Sequence, residues 1–172
     1  PRMLSKIGAG REAEPAVRTA IGKLLATLQL TMRGTPFLFQ GQELGAVNQE
    51  FASLDDLRDV ESINRFPALL ESGMGPRAAW AQILSGTRDH ARVPMRWTPD
   101  GGFTTGVPWL AGTDEVPGFC AAEQAVDPDS VYSWHRALIA LRHPGEIATE
   151  DDTSTARVTR PRRRLGRRPG RG

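Results

Sequence analysis

One irregular loop, and two charged side chains at and before it, carry the chemistry this sequence offers. The loop runs Arg88-Asp89-His90-Ala91-Arg92-Val93-Pro94-Met95-Arg96-Trp97 and continues through Thr98-Pro99-Asp100-Gly101-Gly102-Phe103 to Trp109. It is too polar, and too often broken by Gly and Pro, to be a core helix or strand. Yet it holds two Trp, one Phe and several charges that a plain linker would not need. Long irregular segments of this content line sites. Arg88 opens it. A guanidinium is planar, always charged and rich in donors, so it can bind hydroxyls or keep a neighbouring carboxylate ionised. On the residues alone, a salt bridge to Asp89 or Asp59 that pins the loop is the simpler role. Glu61 can accept hydrogen bonds from hydroxyls, or be an ordinary exposed helix residue.

The other polar candidates read as supports. His90 has no His or Cys partner at metal spacing, so a loop-bracing hydrogen bond is expected rather than metal ligation. Arg92 is expected to brace the same loop. Asp55 and Asp56 sit at a helix start, where carboxylates satisfy orphan N–H groups. Glu43 is expected to bond backbone or a neighbouring strand. His135 and His143 read as surface helix residues. Cys120 is the sole cysteine. It excludes an intrachain disulfide, makes a reducing cytoplasm the default compartment, and reads as a small semi-buried residue rather than a nucleophile.

The elements that must position these groups show in the apolar pattern. Val17, Ile21, Leu24, Leu25, Leu28 and Met32 follow a 3.6-residue period, with Pro15 near the start and Gly34 as a left-handed end. Pro36-Phe37-Leu38-Phe39 then reads as a short buried strand. Gln40 to Glu43 follow at its carboxyl end, the side on which α/β folds place their sites. Ser53-Leu54-Asp55-Asp56 resembles a capping box and predicts a helix through about Asn64. A second short helix is expected over 76–84, with Trp80, Ile83 and Leu84 inward. The loop over 86–118 follows. A last helix is expected from about Asp127-Pro128-Asp129, with Val131, Trp134, Leu138 and Leu141 as its stripe, to a stop at Pro144-Gly145. A single strand cannot satisfy its own edges. The pattern is that of a piece of a larger α/β domain.

Length allows one domain with a sizeable core. No apolar run approaches the roughly 20 residues of a membrane span, and no signal peptide opens the chain. The chain begins at Pro1 without Met, so an N-terminal part is expected to be missing. Residues 153–172 hold eight Arg and no acid, so a net charge of +2 for the chain leaves −6 for the rest. The body and the tail are different chemistries. The tail has no periodicity and few apolar residues, so disorder is expected over 151–172.

Four segments, in order and at matching spacing, resemble α-glucosidases and oligo-1,6-glucosidases of glycoside hydrolase family 13. They are Gly34-Thr35-Pro36-Phe37-Leu38-Phe39-Gln40-Gly41-Gln42-Glu43-Leu44-Gly45, Leu57-Arg58-Asp59-Val60-Glu61-Ser62-Ile63-Asn64, the stretch 88–109, and Asp129-Ser130-Val131-Tyr132 through Leu141-Arg142. Two departures are Val107, where the family commonly has Glu, and Arg96, where it has Gln. The resemblance implies an α/β fold, namely a partial (β/α)8 barrel comprising the last strand, its flanking helices and the long substrate-side loop, over 1–150. It implies hydrolysis of terminal α-glucosidic bonds of short oligosaccharides with retention. It makes Arg88 and Glu61 substrate-binding residues, the first at the non-reducing glucose and the second at the leaving-group sugar. In the family the three catalytic carboxylates end strands four, five and seven, the last within an Asn-His-Asp-Gln motif followed by Pro-Arg. Pro1-Arg2 matches that Pro-Arg, so all three are expected upstream of Pro1.

No cofactor and no metal are implied, and the expected partner is an oligosaccharide substrate. Trp97 and Trp109 could stack on sugars, although anchoring the loop is the commoner role. Alternatives are glucosyl transfer of the trehalose-synthase or sucrose-isomerase type, a non-catalytic sugar-binding module, and nucleic-acid binding by the Arg tail. The tail has no Lys, no aromatic residue and no nucleic-acid-binding fold, so the last is disfavoured. Arg, Pro and Gly are also what a GC-rich gene yields out of frame, and a frameshift product is the preferred reading of 151–172.

Overall fold

A computed structural model describes residues 1–112 and 116–142. The expectations for His143, for the Pro144-Gly145 stop and for the Arg-rich tail lie outside the described residues. Six α-helices are described: α1 (Met3–Gly8), α2 (Pro15–Thr31), α3 (Val60–Glu71), α4 (Pro76–Gly86), α5 (Ala121–Val126) and α6 (Val131–Arg142), with 3-10 turns at Arg11–Ala13, Gln42–Leu44, Leu54–Asp56 and Arg88–Ala91. Helices α1, α2, α5 and α6 pack together, and α3 pairs with α4.

Helix α2 starts where Pro15 can occupy the first turn without losing a needed donor. Its period is as expected, but its buried face is not. Arg18, Gly22, Ala26 and Leu30 are buried, while Leu24 and Leu28 are about half exposed. Small residues at the middle of the buried face let α6 approach, because a Cβ on Gly22 would sit 2.9 Å from Val131 Cγ2. Arg18 on the same face donates from Nε to Gly45 O at 2.8 Å. The larger side chains of the other face meet no comparable partner among the described residues. Gly34 has the expected positive φ of 106°, but the helix already ends at Thr31. Arg142 of α6 collects the freed carbonyls, donating to Leu30 O at 2.6 Å, to Met32 O at 2.8 Å and to Gly34 O. A cation at a helix C-terminus also complements its dipole.

The expected strand over 36–39 is corrected. The segment is extended but unpaired, and no strand ladder forms among the described residues; the one bridge is isolated, between Thr98 and Gly101. Nor is it buried: Phe37 is 83% exposed. A strand is defined by a neighbour that pairs with it, and none of the described residues supplies one.

Ser53 and Asp56 do form the expected capping box, yet it opens only the turn Leu54–Asp56. The expected helix through Asn64 is two elements, because the N–H groups of Arg58 and Asp59 are taken by the Asp89 carboxylate at 2.6 and 2.8 Å. Helix α3 restarts at Val60 and runs past Asn64 to Glu71. Helix α4 matches expectation: Ile83 is buried, and Trp80 meets Phe66 edge-on at 6.0 Å. Phe51, Leu57, Ile83, Val93 and Leu110 form the core beneath this pair.

Helix α5 is an element the apolar period did not show. Ala121, Ala122 and Ala125 favour a helix by propensity alone. Helix α6 begins at Val131, a little later than expected, and buries Val131 and His135 rather than Trp134, Leu138 and Leu141. His135 is therefore not a surface residue; it is 2% exposed, and its Nδ1 lies 2.9 Å from Val131 O. Cys120 is fully buried, its thiol donating to Glu123 Oε2 at 3.0 Å; burial and that acceptor push the thiol up, against nucleophilic use. No helix among the described residues is long and apolar enough to cross a membrane.

Candidate substrate-binding site

The turn Arg88–Ala91 lies against the start of α3, and five charged side chains meet there. Asp59 closes the N-terminus of α3 and is almost wholly buried, its side chain 3% exposed. Its Oδ1 accepts from Arg88 Nε at 2.9 Å and from Arg88 Nη2 at 2.5 Å. Its Oδ2 accepts from the Arg88 backbone N–H at 3.1 Å, from Ser62 Oγ at 3.0 Å and from Thr87 Oγ1 at 3.5 Å. Burial pushes this carboxyl up, but the Arg88 and Ser62 hydrogen bonds outweigh it and hold the group at about 2. It is ionised wherever the protein is folded near neutrality.

Asp89 lies one layer deeper and is fully buried. Beyond the two backbone N–H groups of Arg58 and Asp59, it accepts from Arg92 Nη1 at 3.2 Å. Arg92 also stands 3.9 Å from Asp59 Oδ1. The layers thus alternate in sign, and each buried carboxylate is both paired and hydrogen-bonded, as burial of charge requires. Arg92 braces the loop as expected.

The two expected site residues come together on the outer side of this cluster. Arg88 Nη2 is 3.3 Å from Glu61 Oε2, with the side chains 54% and 72% exposed. The salt bridge from Arg88 to Asp59 is one of the two that the residues alone offered; Asp89 pairs with Arg92 instead. The guanidinium is held by Asp59 through Nε and Nη2 while the side chain stays 54% exposed, which leaves donor capacity open to solvent. Trp97 and Trp109 are 48% and 63% exposed, so neither anchors the loop by burying its ring. A cleft of about 600 Å³ lies elsewhere. It separates the loop around Gly101, Gly102 and Phe103 from Gly41 and Gln49, with Arg2 and Arg18 among its lining. Arg88 and Glu61 stand on an open surface outside it.

His90 braces the loop through both ring nitrogens. Gln49 N–H donates to Nδ1 at 3.1 Å, and Nε2 lies 2.7 Å from Leu84 O. That pair of partners is satisfied by the neutral ring with its proton on Nε2. Burial lowers the ring below its ordinary value, as does Arg2; Leu84 O and Asp89 oppose this. The unfolded chain therefore takes up the proton first as pH falls. Stability contributed by neutral His90 is full above about 6.5 and is lost as pH drops from there through the lower folded-state value. Urea denaturation of the 172-residue chain at pH 8 and pH 5.5 should show this loss, and His90→Gln should reduce it. Sequence reasoning offered Asp59 and Asp89 only as alternative salt-bridge partners of Arg88; it did not show that Asp59 holds both the side chain and the backbone of Arg88, or that Asp89 takes the Arg58 and Asp59 N–H groups. Those bonds join residues 29–31 positions apart in the chain, so no local motif marks them. Among the described residues, no three of His, Cys, Asp and Glu converge as metal ligands would.

Comparison with known proteins is consistent across sequence and structure. Residues 1–151 match the family described as alpha amylase, catalytic domain. The probable oligo-1,6-glucosidase 2 of Bacillus subtilis is 37% identical over 145 residues, which is 83% of this chain and 25% of that protein. The trehalose-6-phosphate hydrolase of the same organism is 37% identical over 152 residues, covering 87% of this chain and 26% of that protein. Among solved structures, trehalulose synthase MutB of Pseudomonas mesoacidophila MX-45 superposes with a TM-score of 0.74 at 41% identity, over 83% of this chain and 26% of that one. A MutB mutant holding sucrose gives 0.75, also at 41% identity, over 84% and 26%. The chain spans about a quarter of the length of these relatives. Both the fold it shares with them and the family match over nearly all its described residues lead to one conclusion: this chain belongs to the alpha-amylase family of glycoside hydrolases and forms part of its catalytic domain.

Proposed function

We propose that residues 1–142 are the closing part of the catalytic (β/α)8 barrel of a retaining α-glucosidase acting on short α-linked oligosaccharides. The extended segment over 35–39 would be its last strand. Arg88 and Glu61 would line its substrate site, Arg88 at the non-reducing glucose and Glu61 at the leaving-group sugar. The observation that carries this reading is the half-exposed Arg88 guanidinium, clamped from beneath by a buried carboxylate and bordered by exposed Glu61. A fixed donor beside an acceptor is what adjacent sugar hydroxyls require.

Retaining hydrolysis needs a nucleophilic carboxylate and an acid/base carboxyl about 5–5.5 Å apart. Asp59, Asp89 and Asp56 are committed to Arg88, to backbone N–H groups and to a helix cap, so they are not available for those roles. The catalytic carboxylates would come from the parts of the domain that the relatives have in addition. A second reading, glucosyl transfer to isomerise sucrose, is favoured by the 41% identity to the MutB structures, which includes a sucrose complex.

Grafting residues 1–142 in place of the matched quarter of the Bacillus subtilis oligo-1,6-glucosidase tests this. The graft should hydrolyse p-nitrophenyl α-glucoside and isomaltose, whereas the 172-residue chain alone should release no p-nitrophenol. Turnover by the chain alone, or a folded graft without activity, would overturn the assignment. Conversion of sucrose to an isomer, in preference to hydrolysis, would favour the second reading.

A further inference from the structure

We infer that Asp59 is the positioning residue for Arg88: its buried carboxylate fixes the guanidinium plane so that the outward donors meet the sugar. This rests on the reading of Arg88 as a substrate contact. Three observations carry it. First, one oxygen, Oδ1, receives both Nε and Nη2 of Arg88 at 2.9 and 2.5 Å, which leaves the planar fork little rotation. Second, the other oxygen holds the Arg88 backbone N–H at 3.1 Å, so side chain and main chain are located by the same group. Third, Asp59 is itself immobilised: Ser62 Oγ and Thr87 Oγ1 donate to its side chain, and the Asp89 carboxylate takes its backbone N–H.

The clamp has a chemical consequence. A long Arg side chain that is half exposed loses rotamer freedom when it grips a ligand, and that loss weakens binding. Asp59 imposes the loss on folding instead, before any sugar arrives. Glu61, at 3.3 Å from Nη2 and 72% exposed, is a looser neighbour and cannot substitute for it. Asp59 touches no substrate in this arrangement and acts only through Arg88. Its removal should therefore matter only while Arg88 is present.

The test is a double-mutant cycle in the graft, with isomaltose as substrate. Asp59→Asn should lower kcat/KM by about 100-fold, and Arg88→Ala by a similar amount. The two together should be no worse than Arg88→Ala alone. Multiplicative losses would overturn the inference, because a merely structural Asp59 would reduce activity whether or not Arg88 is there. Should Asp59→Asn fail to fold, NMR of the unmodified graft serves instead. The Arg88 Nε–H should exchange with water about tenfold more slowly than that of Arg77, an exposed residue of α4. Equal exchange would show that no clamp exists. An inactive wild-type graft would count against the proposed function, while the exchange measurement would still decide on the clamp.

Discussion

Replacing Asp89 by Ala should lower the unfolding free energy of the chain by about 3–5 kcal/mol, enough to leave little folded protein. The side chain is fully buried and makes three hydrogen bonds from its two oxygens. Alanine would orphan the backbone N–H groups of Arg58 and Asp59 in a site that water does not reach, and each orphan costs about 1–3 kcal/mol. It would also remove the main partner of Arg92. Asp59 would keep its hold on Arg88 but lose the contact that locates its own main chain. Asp89→Asn separates these effects. The amide oxygen still accepts from the two N–H groups, while its NH2 faces the Arg92 guanidinium, so the loss should be smaller than for alanine. Urea denaturation followed by circular dichroism reads both variants. A loss below about 1 kcal/mol for alanine would mean that water or main-chain movement reaches this site after all.

The same residue shows what the sequence allows one to read and what it does not. Helix α4 was legible because Pro76, Trp80, Ile83 and Leu84 state its start and its inner face within nine positions. The capping box at Ser53 and Asp56 was legible for the same reason, since both partners lie within one turn. Its extension into a helix was not, because the interruption at Arg58 comes from Asp89, 31 residues later. The period of α2 was correct and its buried side was not. Periodicity reports the face with large apolar side chains, whereas this chain closes the face of Arg18, Gly22, Ala26 and Leu30, which Val131 against Gly22 reveals. Phe37, Leu38 and Phe39 have strand composition, yet pairing is a property of two segments and composition describes one. At the site, Arg88 and its possible bridge to Asp59 could be named from residue types. Which oxygen, and which of the two acids, required the fold.

Arg88 provides the second large effect. In the graft, Arg88→Ala should reduce kcat/KM for isomaltose by about 100-fold, with a smaller change in thermal stability than Asp89→Ala produces. Two losses combine. Donors to the sugar disappear, and hydrogen bonds from a charged group are each worth about 1.5–3 kcal/mol. Asp59 then keeps its negative charge beneath the site without its strongest counterion, although Ser62, Thr87 and the residue-88 backbone N–H still hold it. Stability suffers less because the Arg88 side chain is 54% exposed, so water can enter where the guanidinium stood. Arg88→Lys distinguishes charge from shape. An ammonium restores the counterion but cannot engage Oδ1 through two coplanar nitrogens while presenting a third outward. Stability should therefore recover with lysine while most of the activity loss remains, and the loss should fall mainly on KM if the contact is equal in ground and transition states. Full recovery of kcat/KM by lysine would reduce Arg88 to a source of positive charge and leave the clamp without a catalytic purpose.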